Sequence, residues 1–140
     1  MRAYPMDRPR LLLADDHRET RELLHGLLNV EFDVVADVED GVALVRTAEA
    51  LSPDVIVTDI SMPGMDGIAA TTAILRDNRA ARIVLISVNA DQSLIECGLA
   101  AGALGYVLKL AAIHELVPAV RAALRNERYH SPRSMGGTSQ

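Results

Sequence analysis

Four charged residues stand directly after short apolar runs. Asp15 and Asp16 follow Leu11-Leu12-Leu13-Ala14, Asp59 follows Val55-Ile56-Val57-Thr58, and Lys109 follows Tyr106-Val107-Leu108. If these runs are parallel strands of one sheet, their carboxyl ends share an edge, and open α/β sheets bind ligands at that edge. Two carboxylates about 4 Å apart repel by roughly 4 kcal/mol at an effective dielectric near 20. A cluster of three therefore holds protons or binds a cation, with Lys109 offsetting part of the charge. Oxygen donors together with water suit Mg2+, and no His/Cys spacing for zinc is present. A cation beside one free carboxylate also favours phosphoryl transfer, which depends on positioning and charge neutralisation. The carboxylate can itself be the nucleophile, giving an aspartyl phosphate.

The elements that would position these groups alternate strand and helix, the pattern of repeated βα units. Strands are expected over 10–14, 34–36, 55–59, 83–88 and 106–108. The fourth is nearly all apolar, as for a strand buried on both faces. Helices are expected over 18–29, 40–51, 66–76, 91–101 and 113–125. In the first helix Thr20, Leu23, Leu24, Leu27 and Leu28 form one stripe expected to be buried. In the last, Ile113, Leu116, Val117, Val120 and Leu124 do the same, with Pro118 inside the pattern predicting a late start or a kink. Asp66 fits the N-cap of the third helix. Gly102 fits the left-handed position after the fourth. Residues 1–9 form an N-terminal arm, 10–126 one folded domain, and the polar stretch 127–140 a linker or disordered tail.

Composition agrees with one small domain. The chain has 140 residues, 49% hydrophobic and only 3% aromatic, so aliphatic side chains and alanine must fill the core. A net charge of −5 argues against nucleic-acid binding by this chain itself. The single cysteine, Cys97, has no internal disulfide partner and reads as a small helix-packing residue in a reducing, cytoplasmic setting. Residues 1–9 lack the apolar stretch of a signal peptide, and no run approaches the roughly 20 apolar residues that span a bilayer. No membrane partner is expected. His17, beside Asp16, is either a metal ligand or an exposed loop residue at the site mouth, and the second is the expectation. His25, His114 and His130 read as surface or cap residues.

Taken together, the chain resembles the receiver domain of two-component response regulators over about 8–125. The residues that carry the resemblance are Asp15-Asp16, the segment Asp59-Ile60-Ser61-Met62-Pro63-Gly64-Met65-Asp66-Gly67, Ser87, and Ala101-Gly102-Ala103-Leu104-Gly105-Tyr106-Val107-Leu108-Lys109. The resemblance implies a flavodoxin-like, doubly wound, five-stranded parallel α/β sheet in the order 2-1-3-4-5 with five helices. It implies that Asp59 is the phosphoacceptor, with Mg2+ held by Asp15, Asp16, Asp59 and the Ser61 backbone carbonyl. Lys109 and Ser87 would contact the phosphoryl oxygens, and Tyr106 would swing inward as Ser87 moves. The donor would be the phosphohistidine of a sensor histidine kinase. Asp15-Asp16-His17 with Arg21 and Leu24, and Ala-Gly-Ala-Leu-Gly-Tyr before Lys109, further resemble the NarL/FixJ group of transcriptional regulators. That group often lacks the proline that follows the lysine in many receivers; here Leu110 follows. A homodimer on phosphorylation is expected, and DNA contact only through a domain not in this chain. The expected role is signalling rather than turnover, in an excised or a stand-alone receiver.

Two other classes fit less well. Haloacid-dehalogenase-like phosphatases need Asp-x-Asp-x-Thr after the first strand, and Asp15-Asp16-His17-Arg18-Glu19 does not supply it. Flavodoxin-like cofactor binders need a Gly/Ser/Thr-rich phosphate loop at the same place, where this chain has two negative charges. Ser61 and Asn89, each two residues beyond a site residue, are positions that could tune how water reaches the acyl phosphate.

Overall fold

The computed structural model describes residues 8–130. Strands β1 (Arg10–Ala14), β2 (Asp33–Val38), β3 (Val55–Asp59), β4 (Ile83–Ser87) and β5 (Gly105–Leu108) alternate with helices α1 (Arg18–Leu28), α2 (Gly41–Leu51), α3 (Gly67–Asp77), α4 (Gln92–Ala100) and α5 (Ala112–Leu124). A sixth short strand, β6 (Tyr129–His130), follows α5. The sheet is parallel throughout, in the order β2-β1-β3-β4-β5-β6. The expected five-stranded sheet is therefore one strand short: Gly105 pairs with Tyr129 and Tyr106 with His130. A two-residue strand has no alternation to read, which is why periodicity does not reveal it. Met1–Asp7 of the N-terminal arm and the last ten residues of the tail lie outside the described residues.

The sheet is wound on both faces because its central strands are apolar on both. Leu11 and Leu13, Val55 and Val57, Val84 and Ile86, and Val107 pack with Leu24, Leu28, Leu116 and Val120 of α1 and α5. Their neighbours in sequence, Leu12, Ala14, Ile56, Ile83, Leu85 and Tyr106, pack on the other face with Leu44, Ala70, Ile74 and Ile95 of α2, α3 and α4. The two-residue period of the strand divides these side chains between two cores.

Local signals explain the helix starts. Asp40, Asp66 and Asp91 cap α2, α3 and α4, each side chain accepting a backbone N–H at 2.8 Å, from Ala43, Ala69 and Ser93. Gly102 takes the left-handed φ of +112° after α4, as its sequence position predicted. Other expectations fail. Leu23 and Ile113 are 63% and 66% exposed, so neither belongs to its buried stripe. Both sit at the outer margin of their stripes and line one apolar groove with Leu27 and Leu110. The late start does not occur: α5 begins one residue earlier than expected and includes Pro118. Pro118 and His114 are both exposed, so water can satisfy the His114 carbonyl that the missing N–H leaves free. Cys97 is exposed rather than packed.

Candidate functional site

Sheet register brings the site together. Ala14 pairs with Thr58, so Asp15 leaves β1 beside Asp59 on β3. Asp59 pairs with Ile86, and Ser87 is the next residue on β4. Ser87 pairs with Leu108, and Lys109 is the next residue after β5. Three neighbouring crossings thus converge on one end of the sheet, as the strand-end reading required.

Lys109 Nζ stands 3.0 Å from Asp59 Oδ2 and 3.0 Å from Asp15 Oδ2. Both carboxylates are almost wholly buried, Asp15 at 0% and Asp59 at 3% exposure. Asp15 Oδ2 has no well-aligned hydrogen bond despite the nearby ammonium, so one positive charge faces two buried negative ones at the limit of its geometry. Asp15 Oδ1 accepts the His17 backbone N–H at 2.8 Å, which turns Asp16 toward the same mouth. Ligand atoms of Asp15, Asp16, His17 and Asp59 all lie within 4.8 Å of one another. A set dominated by carboxylate oxygens, one of them buried and poorly satisfied, fits a hard divalent cation.

Burial pushes the Asp59 carboxyl above its ordinary value, and the Asp15 charge adds to that; Lys109 pulls it down without cancelling the rise. For Lys109 the balance is reversed. Burial alone would lower the ammonium, but its pairing with the Asp15 and Asp59 carboxylates outweighs burial and holds it above the usual lysine value. A carboxyl whose value is higher in the folded chain than in the unfolded one favours folding below the unfolded value. That advantage is lost as pH rises through the folded one. Ionised Asp59 therefore costs stability at neutral pH. Asp59→Asn is expected to raise the melting temperature in metal-free buffer by about 3 °C, with the gain shrinking as the pH is lowered. Thermal unfolding across pH checks this, and a lower melting temperature for the variant at neutral pH would contradict it.

The remaining predicted residues are nearby but in different states. Ser87 is buried, and its Oγ accepts the Asn89 N–H at 3.0 Å. Tyr106 is fully buried and its hydroxyl donates to the Asn89 carbonyl at 2.9 Å, so the ring already lies inside. Burial, opposed by a hydrogen bond with Ser87, raises the Tyr106 hydroxyl. Ser61 is exposed, and its N–H reaches Asp59 Oδ1 at 3.4 Å. His17, as expected, is an exposed loop residue at the mouth, its Nδ1 3.1 Å from Asp16 Oδ1.

Two contributions had no sequence signal. Arg21, read only as part of a resemblance, donates from Nη1 to the Asp15 carbonyl at 2.9 Å. It also pairs with Asp37 at 3.6 Å, tying the loop that carries Asp15 and Asp16 to β2. Asn89, named as a position that could tune how water reaches the acyl phosphate, also holds Tyr106 through its backbone carbonyl. Backbone contacts of this kind are invisible in a residue string.

The fold and the acidic strand-end site together define a class, the receiver domains of signalling regulators. The family model of the response regulator receiver domain matches residues 11–121, and the chain belongs to that family. It is 40% identical over 120 residues to the transcriptional regulatory protein LiaR of Bacillus subtilis, covering 84% of this chain and 57% of LiaR. The chain thus spans little more than half the length of that relative. A two-component response regulator of the LuxR family from Aurantimonas sp. SI85-9A1 superposes with a TM-score of 0.88 at 34% identity, covering 92% of this chain and 94% of that one. The signal receiver domain of the putative response regulator NarL from Mycobacterium tuberculosis gives a TM-score of 0.81 at 32% identity, covering 86% and 98%. The NarL-like character read from the sequence agrees with these relatives.

Proposed function

We propose that the chain accepts a phosphoryl group on Asp59 from the phosphohistidine of a sensor histidine kinase. The observation that carries this reading is Lys109 Nζ at 3.0 Å from both Asp59 and Asp15. Among the described residues, Asp59 Oδ1 then has only the 3.4 Å contact from the Ser61 N–H, so one carboxylate oxygen remains available to attack phosphorus. Mg2+ held by Asp15, Asp16, Asp59 and the Ser61 carbonyl would neutralise charge on the incoming phosphoryl group. Lys109 then passes from pairing two carboxylates to pairing the new phosphoryl oxygen, which breaks its contact with Asp15 or shares it. Ser87 turns its hydroxyl from the Asn89 N–H to a second phosphoryl oxygen. This frees the loop whose Asn89 carbonyl anchors Tyr106, so a local charge event reaches the surface of α4, β5 and α5.

In this reading the domain is a switch in the cytoplasm that promotes its own phosphorylation and dephosphorylation, and not a turnover enzyme. The output is transcription, exerted through a DNA-binding domain outside this chain, with homodimer formation on phosphorylation. LiaR is named a transcriptional regulatory protein, and 43% of its length lies beyond the matched span (100 − 57). The test is binding of fluoroberyllate, a phosphoryl mimic, with Mg2+ present. Amide resonances of Ser87, Val88, Asn89 and Tyr106 are expected to shift strongly. Shifts confined to residues 15–17 and 59–61 would contradict the proposed switch.

A further inference from the structure

His17 is the one member of the cation-competent cluster that the phosphoacceptor reading leaves without a task. Its side chain is 69% exposed. Nδ1 lies 3.1 Å from Asp16 Oδ1 and 3.7 Å from Asp15 Oδ1. Asp16 Oδ1 is itself buried and has no hydrogen-bond partner among the described residues, even though the ring nitrogen is so close. The imidazole N–H is therefore not aligned on that oxygen. Two donor atoms that face each other unaligned at this distance are placed as ligands of one ion would be. Donors about 2.1 Å from a common cation lie roughly 3.0 Å apart at octahedral angles and roughly 3.4 Å apart at tetrahedral ones.

We infer that His17 Nδ1 is a nitrogen donor to the divalent-cation site, giving it selectivity for borderline transition ions such as Co2+, Ni2+ or Zn2+ over Mg2+. The inference rests on the reading of Asp15, Asp16 and Asp59 as a cation site. An all-oxygen site discriminates weakly among hard ions, whereas imidazole favours the later first-row metals. The backbone of His17 reinforces the geometry, because its N–H holds Asp15 Oδ1 at 2.8 Å and so fixes the ring beside the carboxylates. Replacing the ring leaves that backbone bond in place and disturbs no buried packing, so the variants should fold.

The experiment titrates untagged wild type, His17→Ala and His17→Gln with Co2+ and separately with Mg2+. Isothermal calorimetry gives affinities, and the visible Co2+ absorption band reports nitrogen ligation. The expected result is that the Co2+/Mg2+ affinity ratio falls at least tenfold in both variants and that the wild-type Co2+ band changes in shape. An unchanged ratio, or equal weakening of both ions, would overturn the inference, because the ring would then act on the loop or only donate a hydrogen bond to Asp16. Absence of Mg2+ binding in the wild type, with His17-dependent Co2+ binding retained, would overturn the Mg2+ part of the phosphoacceptor reading while leaving the nitrogen donor standing. Loss of both would overturn both.

Discussion

Lys109→Ala is expected to cost about 3 kcal/mol of stability in metal-free buffer, roughly 10 °C in melting temperature for a domain of this size. The reason is the asymmetry of buried charge: removing one partner leaves the others uncompensated. Asp15 and Asp59 are both inside the protein, and Lys109 is the cation that faces both, its own side chain 15% exposed. The lysine value is raised in the fold, so its stabilising effect is complete at neutral pH. That effect is lost only as pH climbs past the usual lysine range. The same substitution should make the protein more dependent on divalent cation, because an ion that binds only the folded state adds stability by mass action. The Mg2+-induced rise in melting temperature is therefore expected to be larger in Lys109→Ala than in wild type. A loss under about 2 °C without metal would show that water reaches the carboxylates and that the lysine is not what holds them together.

Gly67→Ala carries the second large effect. A Cβ at Gly67 would lie 2.2 Å from the Asp59 carbonyl oxygen and 3.0 Å from the Asp59 carbonyl carbon and Ile60 Cα. These are backbone atoms, so no rotamer change can relieve the contact. The N–H of Gly67 also donates to the Ile60 carbonyl at 2.8 Å, closing the loop between β3 and α3 tightly onto the strand that ends at Asp59. The substitution is expected to cost about 3 kcal/mol, at the upper end for overpacking, and to move Asp59 away from Lys109. Denaturant unfolding measures the first effect, and the rate of Asp59 phosphorylation by a small phosphodonor the second. Gly26→Ala is the internal control. Gly26 lies within α1, and a Cβ added there would meet nothing within 4 Å, so alanine is expected to stabilise by roughly 0.5–1 kcal/mol. A destabilisation at Gly67 no greater than about 0.5 kcal/mol would contradict the close approach.

These two sites mark what a residue string can and cannot carry. Asp15, Asp16, Asp59 and Lys109 were legible because an apolar run followed by a charge fixes where a strand ends, and parallel strands share one carboxyl edge. The capping role of Asp66 and the left-handed Gly102 were legible for a similar reason, since each has a local conformational signature. Leu23 and Ile113 were misread because periodicity gives the direction of a stripe and not its width. β6 was missed because two residues show no period, and α5 continues through Pro118 where both Pro118 and His114 are exposed and water can reach the backbone. Arg21 reaches a backbone carbonyl with its side chain, and Asn89 offers its own carbonyl to Tyr106, contacts that tertiary packing creates. Nothing in their identity announced it.

Asp59 is proposed as a cation-dependent phosphoacceptor. Intact-mass spectrometry after incubation with acetyl phosphate, with and without Mg2+, tests it on wild type and Asp59→Asn. One phosphoryl group is expected on the wild type, formed only with Mg2+ and released by hydroxylamine as an acyl phosphate, and none on the variant. An adduct of equal yield on Asp59→Asn, or one that forms equally well without Mg2+, would contradict it.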